Sequence, residues 1–71
     1  MVIGKTLWFS KERGYGFIDV DGIQHFAHWK EIAGEGFKYL RDGESVEFLP
    51  LKGDKGMLAT SIRQVDPTVA G

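Results

Sequence analysis

Two aromatic side chains on either side of a glycine stand out in residues 13–18, RGYGFI. When this stretch is read as a β-strand, whose side chains alternate between two faces, Tyr15 and Phe17 share one face while Ile18 and Val20 share the other. Two rings without aliphatic neighbours suit a flat ligand that stacks on them, and nucleobases are the commonest ligand of this kind. The alternative is a hairpin strand whose rings are simply buried.

The same hexapeptide fits a pattern that is typical of base-stacking strands, in which a basic residue precedes glycine, an aromatic residue, glycine, phenylalanine and an aliphatic residue. The chain also contains two Trp, two Tyr and five Phe, which is more than so small a core needs. Six matching residues do not identify a class of protein by themselves. The elements that position the rings must therefore agree with the pattern.

Length and composition limit the possible classes of protein. A chain of 71 residues allows one small domain, which buries only about 60% of its unfolded surface. Without cysteine it has neither a disulfide framework nor a thiolate metal site. No apolar run is long enough for a signal peptide or a membrane span, so we expect a cytoplasmic protein without a membrane partner.

The net charge of −1 argues against binding that is driven by phosphate contacts. A protein that grips duplex phosphates usually shows a basic excess. If this chain binds nucleic acid, stacking must therefore supply most of the affinity, with help from a few local cations.

Five short stretches read as strands, which predicts an all-β domain in the form of a small closed or partly closed barrel. Asp21-Gly22 is a strong hairpin signal, and residues 53–56 form a second hairpin loop. Pro50 indicates a strand edge or a strand end. The predicted strands are 2–9, 15–20, 23–29, 44–51 and 57–65, with one helical turn at 31–33 inside a long connection, 30–43, a domain boundary at 1–66 and a frayed tail at 67–71.

Several motifs together resemble the cold-shock protein family, which belongs to the OB-fold class. The likeness covers residues 2 to about 65, in order and at near-family spacing. It is carried by residues 4–5 (GK), 8–9 (WF), 13–18, 26–29 (FAHW), 34–38 (GEGFK), Leu40 and 55–56 (KG). The resemblance implies a five-stranded antiparallel Greek-key barrel. It also implies binding of single-stranded RNA or DNA with low sequence selectivity, in an RNA-chaperone or transcription-antitermination role.

The resemblance also carries functional positions onto this chain. The implied base-stacking residues are Trp8, Phe9, Tyr15, Phe17, Phe26, His28, Trp29 and Phe37. The basic residues that would meet phosphates are Lys5 and Arg13, with Lys38 and Lys55 as further candidates. Trp8 and Phe9 are adjacent and point to opposite faces of a strand, so Phe9 is the stacking candidate that would pack partly under the sheet.

Departures from the family pattern predict altered affinity or packing rather than another class. Leu7 stands where a lysine is usual and removes one phosphate contact, while Gln24 replaces a usual aspartate that reads a base edge. His25 and Ala27 replace inward valines, which predicts a smaller or more polar core under the third strand.

Catalytic and metal-binding interpretations are weaker. His25 and His28 are three apart on a strand and point to opposite faces, so they do not chelate one ion. Asp19 and Asp21 are best explained as solvated turn acids, and residues 53–56 lack the spacing of a phosphate-binding loop. We therefore expect no catalytic residue, metal, cofactor or small-molecule substrate.

Two other functions are compatible with a small ring-rich barrel. An SH3-like barrel would dock proline-rich peptides on its aromatics. Such a groove favours acidic residues beside the rings, whereas Lys5 and Arg13 are basic. A purely structural barrel would keep the rings in its core. The interpretation that the residues favour is a monomer that binds unpaired nucleotides and catalyses no reaction.

Overall fold

A computed structural model describes residues 1–33 and 39–65, and within them the chain is built almost entirely of strands. The predicted candidates Phe37 and Lys38, and the predicted tail at 67–71, lie outside the described residues. The elements are β1 (Val2–Ser10), β2 (Tyr15–Val20), β3 (Ile23–His28), a 3-10 turn (Trp29–Glu31), β4 (Ser45–Gly53) and β5 (Gly56–Gln64). The all-β fold class is confirmed.

The strands close into a barrel in the order β1-β2-β3-β5-β4, and β4 pairs with β1 to complete the ring. Four pairings are antiparallel, as predicted, but β3 and β5 run parallel. A closed ring with an odd number of strands cannot alternate direction throughout, so one pairing must be parallel. The description of the barrel as antiparallel is therefore right for every neighbouring pair except β3 and β5.

Among the described residues, the barrel interior is mainly aliphatic, with Phe48 as its buried ring and with Thr6 and His25 as its buried polar side chains. Side chains alternate as the sequence predicts, so Ile18 lies inside while Tyr15 and Phe17 lie outside, half-buried. The buried core consists of Ile18, Ala27, Ile32, Leu40, Val46, Phe48, Ala59 and Ile62. The alternative in which the rings of β2 form the core is therefore wrong.

His25 confirms the prediction of a more polar interior under β3. Its side chain is 4% exposed, and its ring meets Phe48 edge-on, with centroids 5.1 Å apart. Its Nδ1 lies 3.0 Å from the carbonyl oxygen of Ile23, which gives the buried imidazole a backbone partner.

A β-bulge explains why the two faces of β1 are hard to predict. Thr6 pairs with Ile18 and Trp8 pairs with Phe17, so Leu7 is the extra residue on β1. The bulge exposes both Leu7 and Trp8, and Phe9 then packs partly against the core.

Boundary differences are small and have local causes. The helical turn occupies Trp29–Glu31, two residues earlier than predicted, because Ile32 leaves the helix to bridge Ile62 in parallel. Pro50 lies inside β4, where it pairs with Ala59 beyond the last residue that contacts β1. That position has a neighbouring strand on one side only, which a residue without a backbone N–H tolerates.

Candidate nucleic-acid interface

Six predicted stacking residues form one connected group of rings on the outside of β1, β2 and β3. We call this group the ring surface: Trp8, Tyr15, Phe17, Phe26, His28 and Trp29. Trp8 lies 5.9 Å from Tyr15 and 5.5 Å from Phe17, measured between ring centroids. Phe26 lies 5.6 Å from Tyr15 and 5.7 Å from Phe17. The structure thus brings together residues from three neighbouring strands.

The group continues along β3 into the 3-10 turn. The centroids of Phe26 and His28 are 6.4 Å apart, and those of His28 and Trp29 are 5.8 Å apart. Nδ1 of His28 accepts a hydrogen bond from the backbone N–H of Lys30 at 3.2 Å. Because Nδ1 accepts this hydrogen bond, Nε2 is the ring nitrogen that carries a proton and can donate.

Strand register arranges the rings in two rows. Trp8 pairs with Phe17, and Phe17 pairs with Phe26, which makes a row across β1, β2 and β3. Tyr15 pairs with His28 in the next row on the same face. Cross-strand partners have close Cβ atoms, so the register alone brings these rings into contact.

Both glycines of the RGYGFI stretch lie where a larger side chain would overlap a neighbour, and Gly14 also has a positive φ. A side chain at Gly16 would overlap the backbone of Trp8 and Phe9, so glycine lets β2 lie against the bulge of β1. Gly14 has φ +77°, and a side chain there would overlap the indole of Trp29. The carbonyl oxygen of Gly14 also accepts a hydrogen bond from the backbone N–H of Trp29 at 2.9 Å. Gly14 therefore helps to fix the position of Trp29.

Phe9 is set apart from the other stacking candidates. It is half-buried and packs against the core, so the described contacts do not bring it into the ring surface. Its binding role remains a prediction for which the geometry offers less support.

The cationic candidates within the described residues lie around the ring surface. Arg13 is exposed, and its Nη1 donates a hydrogen bond to the Tyr15 hydroxyl at 3.4 Å. This bond raises the pKa of Arg13 above its ordinary value, and it holds the guanidinium, which is always charged, beside the Tyr15 ring. Lys5 is exposed and lies opposite Asp19 in the β1–β2 register, one row beyond Phe17 on the same face.

Lys55 lines an open groove of about 520 Å³ beside two rings of the ring surface. Its walls include Phe17, Gln24, Phe26, Lys55, Met57 and Leu58. Sequence reasoning missed Met57 and Leu58, because the pairing of β3 with β5 joins residues that are far apart in the chain.

Two further lysines make ring contacts that sequence reasoning also missed. The Nζ of Lys30 lies 5.9 Å from the Trp29 ring centroid. Because Lys30 follows Trp29 directly in the sequence, this contact could have been predicted. Lys11 has its Nζ 4.2 Å from the Tyr39 ring centroid, and no local spacing predicts that contact.

Residues considered for other chemistry lie in ordinary structural roles. Within residues 1–33 and 39–65, no three His, Asp or Glu side chains are grouped to hold a metal ion. The carboxylate of Asp19 accepts a hydrogen bond from the Gly22 N–H at 3.4 Å, as a turn acid does. The same described segments contain no helix that is long and apolar enough to cross a membrane.

Comparison with known proteins defines the class. Residues 2–65 match the family described as 'Cold-shock' DNA-binding domain, and the chain belongs to this family. The family resemblance predicted from the motifs is thus confirmed, and the nucleic-acid-binding class is established with it.

Individual relatives support the same assignment. The chain is 45% identical over 60 residues to "Cold shock protein CspB" of Bacillus caldolyticus, covering 83% of this chain and 91% of the relative. It is 42% identical over 66 residues to "Cold shock-like protein CspLB" of Listeria monocytogenes, covering 92% of this chain and 100% of the relative. It is 45% identical over 64 residues to "Cold shock-like protein" of Thermotoga maritima, covering 89% and 97%.

Proposed function

We propose that this chain binds single-stranded RNA or DNA by stacking unpaired bases on the ring surface, with low sequence selectivity. The observation that carries the proposal is the continuous contact of six rings on the outside of three adjacent strands. Every base has a π-face, so stacking accepts any sequence.

The expected energies agree with this mechanism. Stacking contributes ~1–3 kcal/mol per base, so three or four bases contribute roughly 3–12 kcal/mol before ordering costs. Micromolar affinity requires about −8 kcal/mol. The upper part of this range reaches micromolar affinity, so binding does not require a positive net charge in a chain whose net charge is −1.

Cations assist by meeting phosphates at the margin of the ring surface. Arg13 and Lys55 are both exposed and lie beside ring-surface residues. Lys5 lies one row further away, and Lys38 is retained as a candidate on the family resemblance. Few contacts of this kind give a shallow dependence on salt.

The cellular role that follows is to hold strands open by occupying bases that otherwise pair. This suits an RNA chaperone or a transcription antiterminator, acting as a cytoplasmic monomer whose folded domain ends at residue 66. The protein performs this role by binding, without a cofactor and without catalysing a reaction. The SH3-like alternative is not favoured, because Arg13 puts a fixed positive charge beside Tyr15, where a peptide-binding groove favours acidic residues.

Titration with an oligothymidine and with the matching oligouridine tests the proposal. Stacking on Trp8 or Trp29, which are 41% and 43% exposed, should quench tryptophan fluorescence. A proline-rich peptide serves as the control and should leave the fluorescence unchanged. Quenching by the peptide but by neither oligonucleotide contradicts the proposal.

A further inference from the structure

One register row continues from the ring surface across β5 and onto β4 on the outer face of the barrel. It begins with the rings Trp8, Phe17 and Phe26, which pair in turn across β1, β2 and β3. The row does not end there, because Phe26 pairs with Leu58 across the parallel β3–β5 contact, and Leu58 pairs with Leu51 on β4. Residues directly opposite one another share a face of a sheet, so the apolar surface continues from the rings onto two leucines.

A groove of about 300 Å³ lies along this continuation, which is the lower end of the range for small-ligand sites. We call it the leucine groove, lined by Phe26, His28, Lys30, Leu51, Leu58 and Thr60. Leu51 is 53% exposed, so a ligand reaches it without rearrangement of the barrel.

Two charged side chains of opposite sign border the leucine groove. Lys30 is exposed and lies between the groove and the Trp29 ring. Glu31 also borders the groove, but its carboxylate accepts a hydrogen bond from the Ser61 N–H at 3.3 Å. This hydrogen bond holds the carboxylate in place but leaves its negative charge, so the groove has no net charge, and Lys30 is the cation that an incoming phosphate meets.

We infer that the leucine groove takes one further nucleotide of a strand that already lies on the ring surface. Its base contacts Leu51 and Leu58, and its phosphate lies near Lys30. This inference rests on the proposed function. Continuity favours a nucleotide over a segment of another protein, because Phe26 is at once a ring of the ring surface and a wall of the groove.

The added contact is weaker than stacking on a ring. Leucine offers apolar area but no π-face, so the gain comes from removing base and side-chain surface from water. We expect a strand that reaches the groove to bind ~3–10-fold more tightly than one confined to the ring surface.

The substitution L51A tests the inference, and L49A is its matched control. Both leucines are exposed on the outside of β4, and both lose the same atoms, but Leu49 does not line the groove. Affinities are measured with oligothymidines of four and nine nucleotides by tryptophan quenching. L51A should weaken binding of the nine-nucleotide strand ~3–10-fold and leave the four-nucleotide strand unchanged, while L49A should affect neither.

Two results overturn the inference while the proposed function stands. In the first, L51A leaves both affinities unchanged, as expected if the groove serves a protein instead. In the second, L51A weakens both strands equally, which reports a general disturbance of the ring surface. If the unaltered protein binds neither strand, the proposed function itself fails.

Methyl NMR provides an independent reading on the unaltered protein. The nine-nucleotide strand should shift the methyl signals of Leu51 and Leu58, and the four-nucleotide strand should leave Leu51 in place. Leu51 signals that do not move with the longer strand contradict the inference even if L51A alters affinity.

Discussion

The two faces of β2 and β3 differ in what they carry and in what a substitution there should cost. Outside, Tyr15, Phe17 and Phe26 place large, half-buried rings in contact with one another. Inside, Ile18 and Ala27 are fully buried. The largest side chains therefore lie on the face that contributes less to the core, as the proposed stacking of bases on them requires.

The sharpest test of this comparison substitutes neighbouring residues on opposite faces. I18A should lower the free energy of unfolding by ~2–5 kcal/mol, because it leaves a cavity in the core. F17A should instead weaken oligonucleotide binding by roughly 1–3 kcal/mol while the fold survives. Chemical denaturation and fluorescence titration measure the two effects. Unfolding of the F17A variant would show that Phe17 belongs to the core.

The next prediction concerns the glycine beneath the rings. G16A should lower the free energy of unfolding by ~2–4 kcal/mol, because the new methyl overlaps the backbone of β1. G22A is the control, since Gly22 has φ +85° and open space around it, and it should cost only ~1–2 kcal/mol. Equal losses in denaturation experiments would mean that close approach of β1 and β2 is not what requires Gly16.

The salt dependence of the binding constant distinguishes affinity that comes from base stacking from affinity that comes from phosphate contacts. With two or three phosphates neutralised, the slope of log K against log salt should be about −1.4 to −2, at ~0.7 per phosphate for single strands. Titrations with oligothymidine between low and moderate salt give this slope. A slope steeper than about −4 would show that phosphate contacts, not stacking, dominate affinity.

The smallest predicted effect concerns the irregular backbone at Ser61, where the inward and outward alternation of β5 is interrupted. Ser61 has φ +51° and lies between the buried residues Ala59 and Ile62, where the register between β4 and β5 shifts. Asparagine tolerates this left-handed backbone better than serine, so S61N should raise the free energy of unfolding by about 0.5 kcal/mol. S45N, at a position with ordinary strand backbone, should give no gain. Destabilisation by S61N would contradict this interpretation.

Local patterns were sufficient to predict β2 and the hairpin that joins it to β3. Alternation placed Ile18 inside, and Phe17 and Phe26 outside, because the period of a strand depends only on the chain itself. Asp21-Gly22 gave the turn, with both residues at positive φ as this kind of hairpin requires. The ring surface was therefore largely predictable, since most of its members lie on this hairpin.

Features that depend on pairing between distant residues were not predictable in the same way. The opposite faces of Trp8 and Phe9 were predicted, but the bulge that exposes Leu7 beside Trp8 was not, because it depends on how β1 pairs with β2. Phe26 pairs with Leu58 because closure of the barrel makes β3 and β5 neighbours, although the two strands are far apart in the sequence.

The amino-acid sequence by itself thus determined the class of protein, the two faces of β2 and β3, and the rings they carry. Only the tertiary structure decided which residues continue those rings around the barrel, because register between strands is set by closure and bulges. Alternation along a strand is a local property of the backbone, whereas the partner opposite each residue is a property of the assembled sheet.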